Sequence, residues 1–447
     1  MPSNDEMKLG VMLQSAGYHE GAWRDSTVPS NGGHDIDHYA HLAGLAEGAA
    51  FHFVFIADNL SVEEQDHASL ARIAGNARLE PITLLSALSS RTQRIGLVAT
   101  ATTTYNEPYH LARMFASLDH VSRGRAAWNV VTSIGKFEAP NFGENKLPDY
   151  GTRYARAKEF VKVVKGLWDS WEDDAFIRDK QSGIFVDPER LHLLNHQGDY
   201  LSVRGPLNIA RPPQGYPVLV QAGASDAGTT FGAELGEVVF TAQPSLESSK
   251  QFYANLKTKA HAFGRTAEQV QVMPGIVPIV GRTKQEASDK LQRLQSYTQE
   301  MDVLAATADR WLGSVTNLRS IDLDSLVPEA LPETNLFQSR QKVLLDLAAR
   351  QRLTWRQLIR LISDSHGHLM VVGTPDEIAS VMIASFDQRA ADGFNVMPAT
   401  VPSGLKDFVE LVIPEIRRRG KFRSQYSGQT LRENLGLKRP FNQFTRK

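Results

Sequence analysis

Three successive threonines, Thr102 to Thr104, are followed by Asn106, and further along come Asn129, Thr132 and Ser133. All are short, uncharged side chains that hydrogen-bond, which suits grip on a neutral, polar-edged ligand better than proton transfer. Asp58 closes the apolar run that starts at Phe53. A carboxylate there loses hydration unless a ligand or a helix start partners it. Tyr150 and Tyr154 lie four apart, so they share one helix face, and near a helix start that face could hold a phosphate. A second anion candidate is the turn Gly223-Ala224-Ser225-Asp226-Ala227-Gly228, where glycines admit close approach and Ser225 opens a helix with free amides. The loop after the first apolar run offers His19, Trp23 and Arg24. Arg24 suits a carboxylate if it faces inward; a solvent-facing arginine is the alternative. A denser set, His34, Asp35, Asp37, His38 and His41, with His366 and His368 far downstream, has metal-binding side chains. His34 and His38 suit zinc only if both are helical, and Gly33 and Asp35 put His34 in the loop before the helix.

These residues need a frame. Val98 to Ser133 reads as the end of a buried strand, a polar loop, a helix opened by Pro108, a turn at Arg123-Gly124 and a second buried strand. Strand-length apolar runs around such a helix imply a right-handed crossover between parallel strands, so both strands shed their last residues on one edge. Further strand signals are MKLGVML, FVFIAD, PVLVQAGAS, EVVFTA, VQVMPGIVPIVG and FNVMP. The eight close most simply as a (β/α)8 TIM barrel of the α/β class with its site on the carboxyl face. The expectation is one domain over 1–447 with long insertions, a hairpin at about 175–211 within DYLSVRGPLNIARPPQ, and a helical lid or oligomer contact at about 283–365. Threonine and serine also favour strand ends and caps, so spacing alone leaves the binding role open.

Motifs narrow it. TTTYNEPYHLAR with GRAAWNVVTS, GYHEGAWR, Ala57-Asp58-Asn59-Leu60 and the RY-x-x-A-x-E-F segment from Arg153 to Phe160 resemble the bacterial luciferase-like flavin monooxygenases. Within that family they are similar to the branch containing the nitrilotriacetate, pristinamycin-forming and dibenzothiophene-sulfone monooxygenases. The resemblance covers most of the chain. It implies a two-component FMNH2-dependent monooxygenase that puts one oxygen atom of O2 into a small organosulfur, aminopolycarboxylate or similar substrate through a C4a-hydroperoxyflavin. It implies reduced FMN from a separate NAD(P)H:flavin reductase, and a homodimer or homotetramer. It assigns Asp58, Thr104, Asn129 and Ser133 to the ring and ribityl chain, and Tyr150, Tyr154 and Ser225 to the phosphate. His19 would position the distal oxygen, and Trp23 and Arg24 would meet substrate. Tyr150 departs from the family pattern, in which histidine is common at this point. A deazaflavin-dependent oxidoreductase of the same fold is the alternative chemistry, and a metal-dependent barrel hydrolase is the reading that the histidine clusters would need.

Composition sets the remaining bounds. A formal charge of -1 with interspersed signs gives no footprint for nucleic acid or an anionic membrane. The absence of cysteine removes disulfides and thiolate chemistry. The amino terminus lacks a basic-then-apolar leader, and no apolar run approaches the roughly 18 residues of a span, so a cytoplasmic protein with a small-molecule substrate is expected. The basic tail from Lys421, with Phe422 and Tyr426, reads as a solvated end or an arm on another protomer.

Overall fold

Alternation within the short apolar runs decides the architecture. Strand β1 spans Lys8–Met12, β2 Phe53–Ile56, β3 Gly96–Thr102 and β4 Ala126–Val131. Phe53, Phe55, Val98 and Ala127 point into an inner cluster, whereas Val54, Ile56, Leu97, Ala99 and Trp128 point outward to the helices. Both faces are buried, as parallel strands under helices must be. The computed structural model describes residues 6–62, 67–72, 74–135, 137–312, 318–332 and 338–445.

The later strands are β5 His196–Gln197, β6 Ser202–Val203, β7 Val218–Ala222, β8 Val238–Thr241, β9 Gln271–Val280, β10 Leu369–Gly373 and β11 Gly393–Val396. Parallel pairings run β1-β2-β3-β4-β7-β8-β9-β11 and return to β1, which closes an eight-stranded (β/α)8 barrel. A Cβ on Gly10 would stand 2.1 Å from the Phe53 ring, so glycine there lets that ring fill the interior. Helix Pro108–Val121 covers β3 and β4 with Leu111, Ala112, Phe115 and Leu118, and Pro108 occupies its first turn, where a missing N–H costs nothing. Trp128 packs outward against Phe115 at 5.7 Å and Phe160 at 6.0 Å between ring centroids.

Three expectations need correction. The hairpin in the 175–211 region pairs His196 with Val203 and Gln197 with Ser202, earlier than DYLSVRGPLNIARPPQ as a whole suggests. Pro206, Pro212 and Pro213 have no N–H for a ladder, so the chain beyond Arg204 runs unpaired. Strand β10 is a ninth strand outside the ring: β8 covers only Gln271 to Pro274 of the long β9, and Leu369 to Gly373 pair with Ile276 to Val280. The basic tail packs in part on its own barrel. Arg423 Nε donates to the Ala50 carbonyl at 2.9 Å and the Tyr426 hydroxyl to the Phe51 carbonyl at 2.7 Å. Leu431, Leu435 and Leu437 then join the inner cluster, and the Arg432 guanidinium pairs with Glu237.

The stretch expected as an insertion at about 283–365 contains helices Lys284–Ser296, Met301–Leu312, Gln338–Gln351 and Trp355–Ser365. Leu304, Ala308, Trp311, Leu344, Leu358 and Ile362 give it an apolar cluster of its own. Residues 313–317 and 333–337 of that stretch, like the two ends of 1–447, lie outside the described residues.

Candidate active site

At the carboxyl ends of the strands the barrel opens into a cavity of about 820 Å3. Its wall includes His19, Trp23, Asp58, Asn129, Ser133, Tyr150, Tyr154 and Ser225. Thr104 and Arg24 are not part of that wall.

Strand phase explains the first group. Val98 faces inward, so Thr100 and Thr102 do too, and Ala127 brings Asn129 to the same interior beside Thr100 in the β3–β4 register. Asn129 Nδ2 donates to Thr100 Oγ1 at 2.9 Å, and Thr100 Oγ1 donates to the Ile56 carbonyl at 2.8 Å. Asn129 Oδ1 is left buried without a partner among the described residues. Ser133 Oγ donates to Thr102 Oγ1 at 3.0 Å, while the Ser133 amide is shared by Thr102 Oγ1 and Thr104 Oγ1, each at 3.1 Å. Thr104 therefore stands behind the wall and orients Ser133. Thr102, on the inward phase, is the threonine that lines the cavity, and period-two alternation was the signal that could have picked it.

At one end of the wall two helix starts and two phenols come together. Helix Asp226–Leu235 starts at Ser225, whose Oγ accepts from the Gly228 amide at 3.1 Å. Helix Tyr150–Trp168 begins at Tyr150, with Asp149 Oδ1 accepting from the Thr152 amide at 2.9 Å. The Tyr150 hydroxyl bonds Ser225 Oγ. A Cβ on Gly228 would stand 3.1 Å from the Tyr154 hydroxyl, so glycine keeps that corner open. Burial, with Tyr150 next to it, pushes the Tyr154 phenol above its ordinary value, so it stays a donor.

Asp58 follows β2, and burial pushes its carboxyl up to about 6, against the pull of Arg78 and the Asn59 amide and with a push from Glu80 and Glu138. Glu138 is a wall residue that sequence reasoning missed. Its Oε1 accepts from the Leu60 amide at 3.1 Å, and Oε2 is buried without a partner among the described residues.

His19 is close to the cavity but occupied. Its Nδ1 accepts from the Gly21 amide at 3.0 Å, which puts the proton on Nε2, and that nitrogen faces Asp364 Oδ1 at 3.0 Å. Both ring nitrogens thus brace the first loop against helix Trp355–Ser365, and neither is left to position an oxygen. Arg24 corrects a second expectation: it points away from the cavity, with NH1 donating to the Tyr297 carbonyl at 2.8 Å and to Glu300 Oε1 at 3.2 Å. The histidine clusters are also spoken for. Asp35 caps helix Ile36–Gly48, His38 Nε2 bonds the Ser15 carbonyl at 3.0 Å, and no three metal-binding side chains converge among the described residues.

A match to the luciferase-like monooxygenases spans residues 7–393. The chain belongs to that family. Its members are flavin-dependent oxidoreductases, and this chain is an enzyme of that kind. It is 45% identical over 442 residues to the N-acetyl-S-(2-succino)cysteine monooxygenase of Bacillus subtilis (strain 168), covering 99% of each chain. It is also 45% identical over 449 residues to the nitrilotriacetate monooxygenase component A of Aminobacter aminovorans, again 99% of each. Among solved structures, riboflavin lyase RcaE with modified FMN and substrate riboflavin superposes with a TM-score of 0.87 at 31% identity, over 97% of this chain and 96% of that one.

The wall suits the flavin that luciferase-like enzymes use. An isoalloxazine has a ring N–H that needs an acceptor, and Asn129 Oδ1 is an acceptor with none to accept from. Its phosphate needs donors, and the Ser225 helix start with two phenols offers them, while the Asp226 carboxylate of that first turn is exposed and pairs with Lys259 Nζ at 2.6 Å.

Proposed function

We propose that the chain is the oxygenase component of a two-component monooxygenase that takes reduced FMN from a separate NAD(P)H:flavin reductase and oxidises a small organic molecule, an organosulfur compound or an aminopolycarboxylate. The buried, partnerless Asn129 Oδ1 carries the reading, because a neutral acceptor left open on the barrel interior calls for a ring N–H. When bound, reduced flavin supplies the electrons that let O2 deliver one oxygen atom to substrate.

The chain's own residues do the rest. Asn129 and Ser133, held from behind by Thr100, Thr102 and Thr104, orient the ring and ribityl chain without placing a charge beside it. Asp58, with its carboxyl raised to about 6, keeps a proton near the ring more readily than an ordinary aspartate. Tyr150, Tyr154 and Ser225 hold the phosphate end. Trp23 with Arg310, Trp311 and Val343 roof the cavity, which supports a lid role for the 283–365 insertion and the exclusion of water. His19 fixes that roof to the first loop. Exposed Ile177, Ile184 and Phe185 supply an apolar face for a homodimer or homotetramer.

The test is oxygen uptake by the whole protein with FMN, NADH and a flavin reductase across sulfides, sulfones and aminopolycarboxylates, beside equilibrium titration with FMN. FMN binding with substrate-dependent oxygen incorporation is expected. A protein that binds no FMN sinks the reading.

A further inference from the structure

The roof of the cavity contains a guanidinium that no carboxylate pairs with among the described residues. Arg340, on helix Gln338–Gln351, lines the cavity with Tyr18, Trp311, His366 and His368. One of its NH1 hydrogens goes to the His366 carbonyl and one from NH2 to His368 Nε2 at 3.4 Å, and its guanidinium lies 5.4 Å from the centre of the Trp311 ring. Among the described residues no carboxylate pairs with it. A guanidinium has five N–H donors, so these two bonds leave the remainder of its planar fork without an acceptor among the described residues. Charge this enclosed is ordinarily paired.

The neighbouring acids are committed elsewhere. Glu20 Oε1 bonds His366 Nε2 at 2.8 Å and faces Arg310 at 3.8 Å, and Asp364 takes His19 and Gln295. Asp309 also lines the cavity and is not itself free. His368 adds no charge: its Nε2 accepts from Arg340, its ring stacks on Phe240 at 5.3 Å, and burial holds it well below the usual histidine range. Arg340 is therefore a guanidinium on the cavity wall with no carboxylate partner among the described residues.

This charge is also remote from the end that suits a phosphate. Tyr18, whose ring centre lies 4.5 Å from that of His366, follows β1 and donates its amide to the Pro398 carbonyl beyond β11 at 2.8 Å. Ser225 and Tyr154 sit beyond β7 and β4, three or four places round the closed ring from β11 and β1.

We infer that Arg340 anchors the substrate and that the substrate carries a carboxylate, bound in a paired hydrogen bond by the open side of the guanidinium fork. The inference rests on the monooxygenase reading of the same cavity and narrows its substrate class. A planar carboxylate matches the fork in spacing and charge, and Trp311 on one face of the guanidinium keeps the fork from turning. Arg340, and not Arg24, then does the work that a carboxylate substrate asks for.

The test is titration calorimetry of the full-length protein, with and without FMN, using succinate, its neutral isostere succinamide, and ethane-1,2-disulfonate. Succinate should bind at least tenfold more tightly than succinamide in both forms. Arg340→Ala and Arg340→Gln should abolish that preference, Arg340→Lys should retain part of it, and all three should keep the wild-type FMN affinity and circular dichroism. Equal binding of succinate and succinamide, no binding of succinate at millimolar concentration, or a preference that survives Arg340→Ala overturns the proposal. Tighter binding of the disulfonate also overturns it, in favour of a sulfonate site. Loss of FMN binding by the wild-type protein would count against the flavin reading alone, since the flavin-free titration still reads the Arg340 pocket.

Discussion

Asn129 Nδ2 donates to Thr100 Oγ1 across the β3–β4 ladder, and this single bond fixes which end of the Asn129 amide meets the cavity. Because Thr100 passes its own proton to the Ile56 carbonyl, it can only accept from Asn129, so the carbonyl oxygen faces the open space. Asn129→Ala removes that acceptor and should weaken FMN binding about tenfold, the worth of one net hydrogen bond to a buried donor. Thr100→Val should weaken it less, by freeing the amide to turn. Quenching of FMN fluorescence measures both, and an unaltered Kd in Asn129→Ala would remove the amide from the cofactor site.

A carboxylate at position 225 would face a phosphate directly. Ser225→Asp should lower FMN affinity on the order of a hundredfold, from like-charge repulsion at a partly desolvated helix start. Riboflavin, which lacks the phosphate, should bind the variant and the parent alike. Equal losses for both ligands would mean the substitution had damaged the fold.

Asp58 makes a pH prediction. Its folded carboxyl holds a proton up to about 6, whereas an unfolded aspartate releases it near ~3.9. Between those values the folded state binds more protons, so this group's contribution favours folding at low pH and is lost as pH rises. Asp58→Asn removes that loss, and its Tm relative to the parent should climb from pH 4 to pH 7. Asp119, raised to about 6 by the same cause, is present in both proteins and cancels. A Tm difference that is flat with pH counts against the shift.

Arg24→Ala should leave the KM of any substrate unchanged. Its side chain is tied to Glu300 and the Tyr297 carbonyl outside the cavity, and an exposed pair of this kind contributes about 0–1 kcal/mol. A severalfold rise in KM would show that the first loop turns Arg24 inward during turnover.

Where the sequence could be read, one physical rule did the reading. Apolar runs of strand length identify the eight barrel strands, and alternation within each run then separates inward from outward faces, which are buried in different company. The same rule puts Asn129 inside and would have preferred Thr102 to Thr104. Asp58 and Ser225 are visible because each ends an apolar run where only a ligand or a cap could satisfy it. Other features depend on partners far away in the chain. His19 looks like a reactive group until Asp364, distant in sequence, takes its Nε2. Arg340 stands in a polar helical stretch with nothing local to mark it, and only the fold shows that it lines the cavity without a carboxylate partner among the described residues. The tail from Lys421 looks solvent-loving by composition, yet its arginines pair with backbone carbonyls at the barrel's amino end.

That tail has a consequence for biosynthesis. Strand β11, which joins β1 to shut the ring, and Leu431, which lies 2.5 Å from where a Cβ on Gly96 would stand, both follow the other seven ring strands in the chain. Growing on a ribosome, the polypeptide carries an open seven-stranded sheet, apolar on both faces, until β11 has been added. Clipping the carboxyl terminus at Lys421 should therefore yield aggregates instead of a smaller enzyme, and a bulky fusion there should delay the final closure.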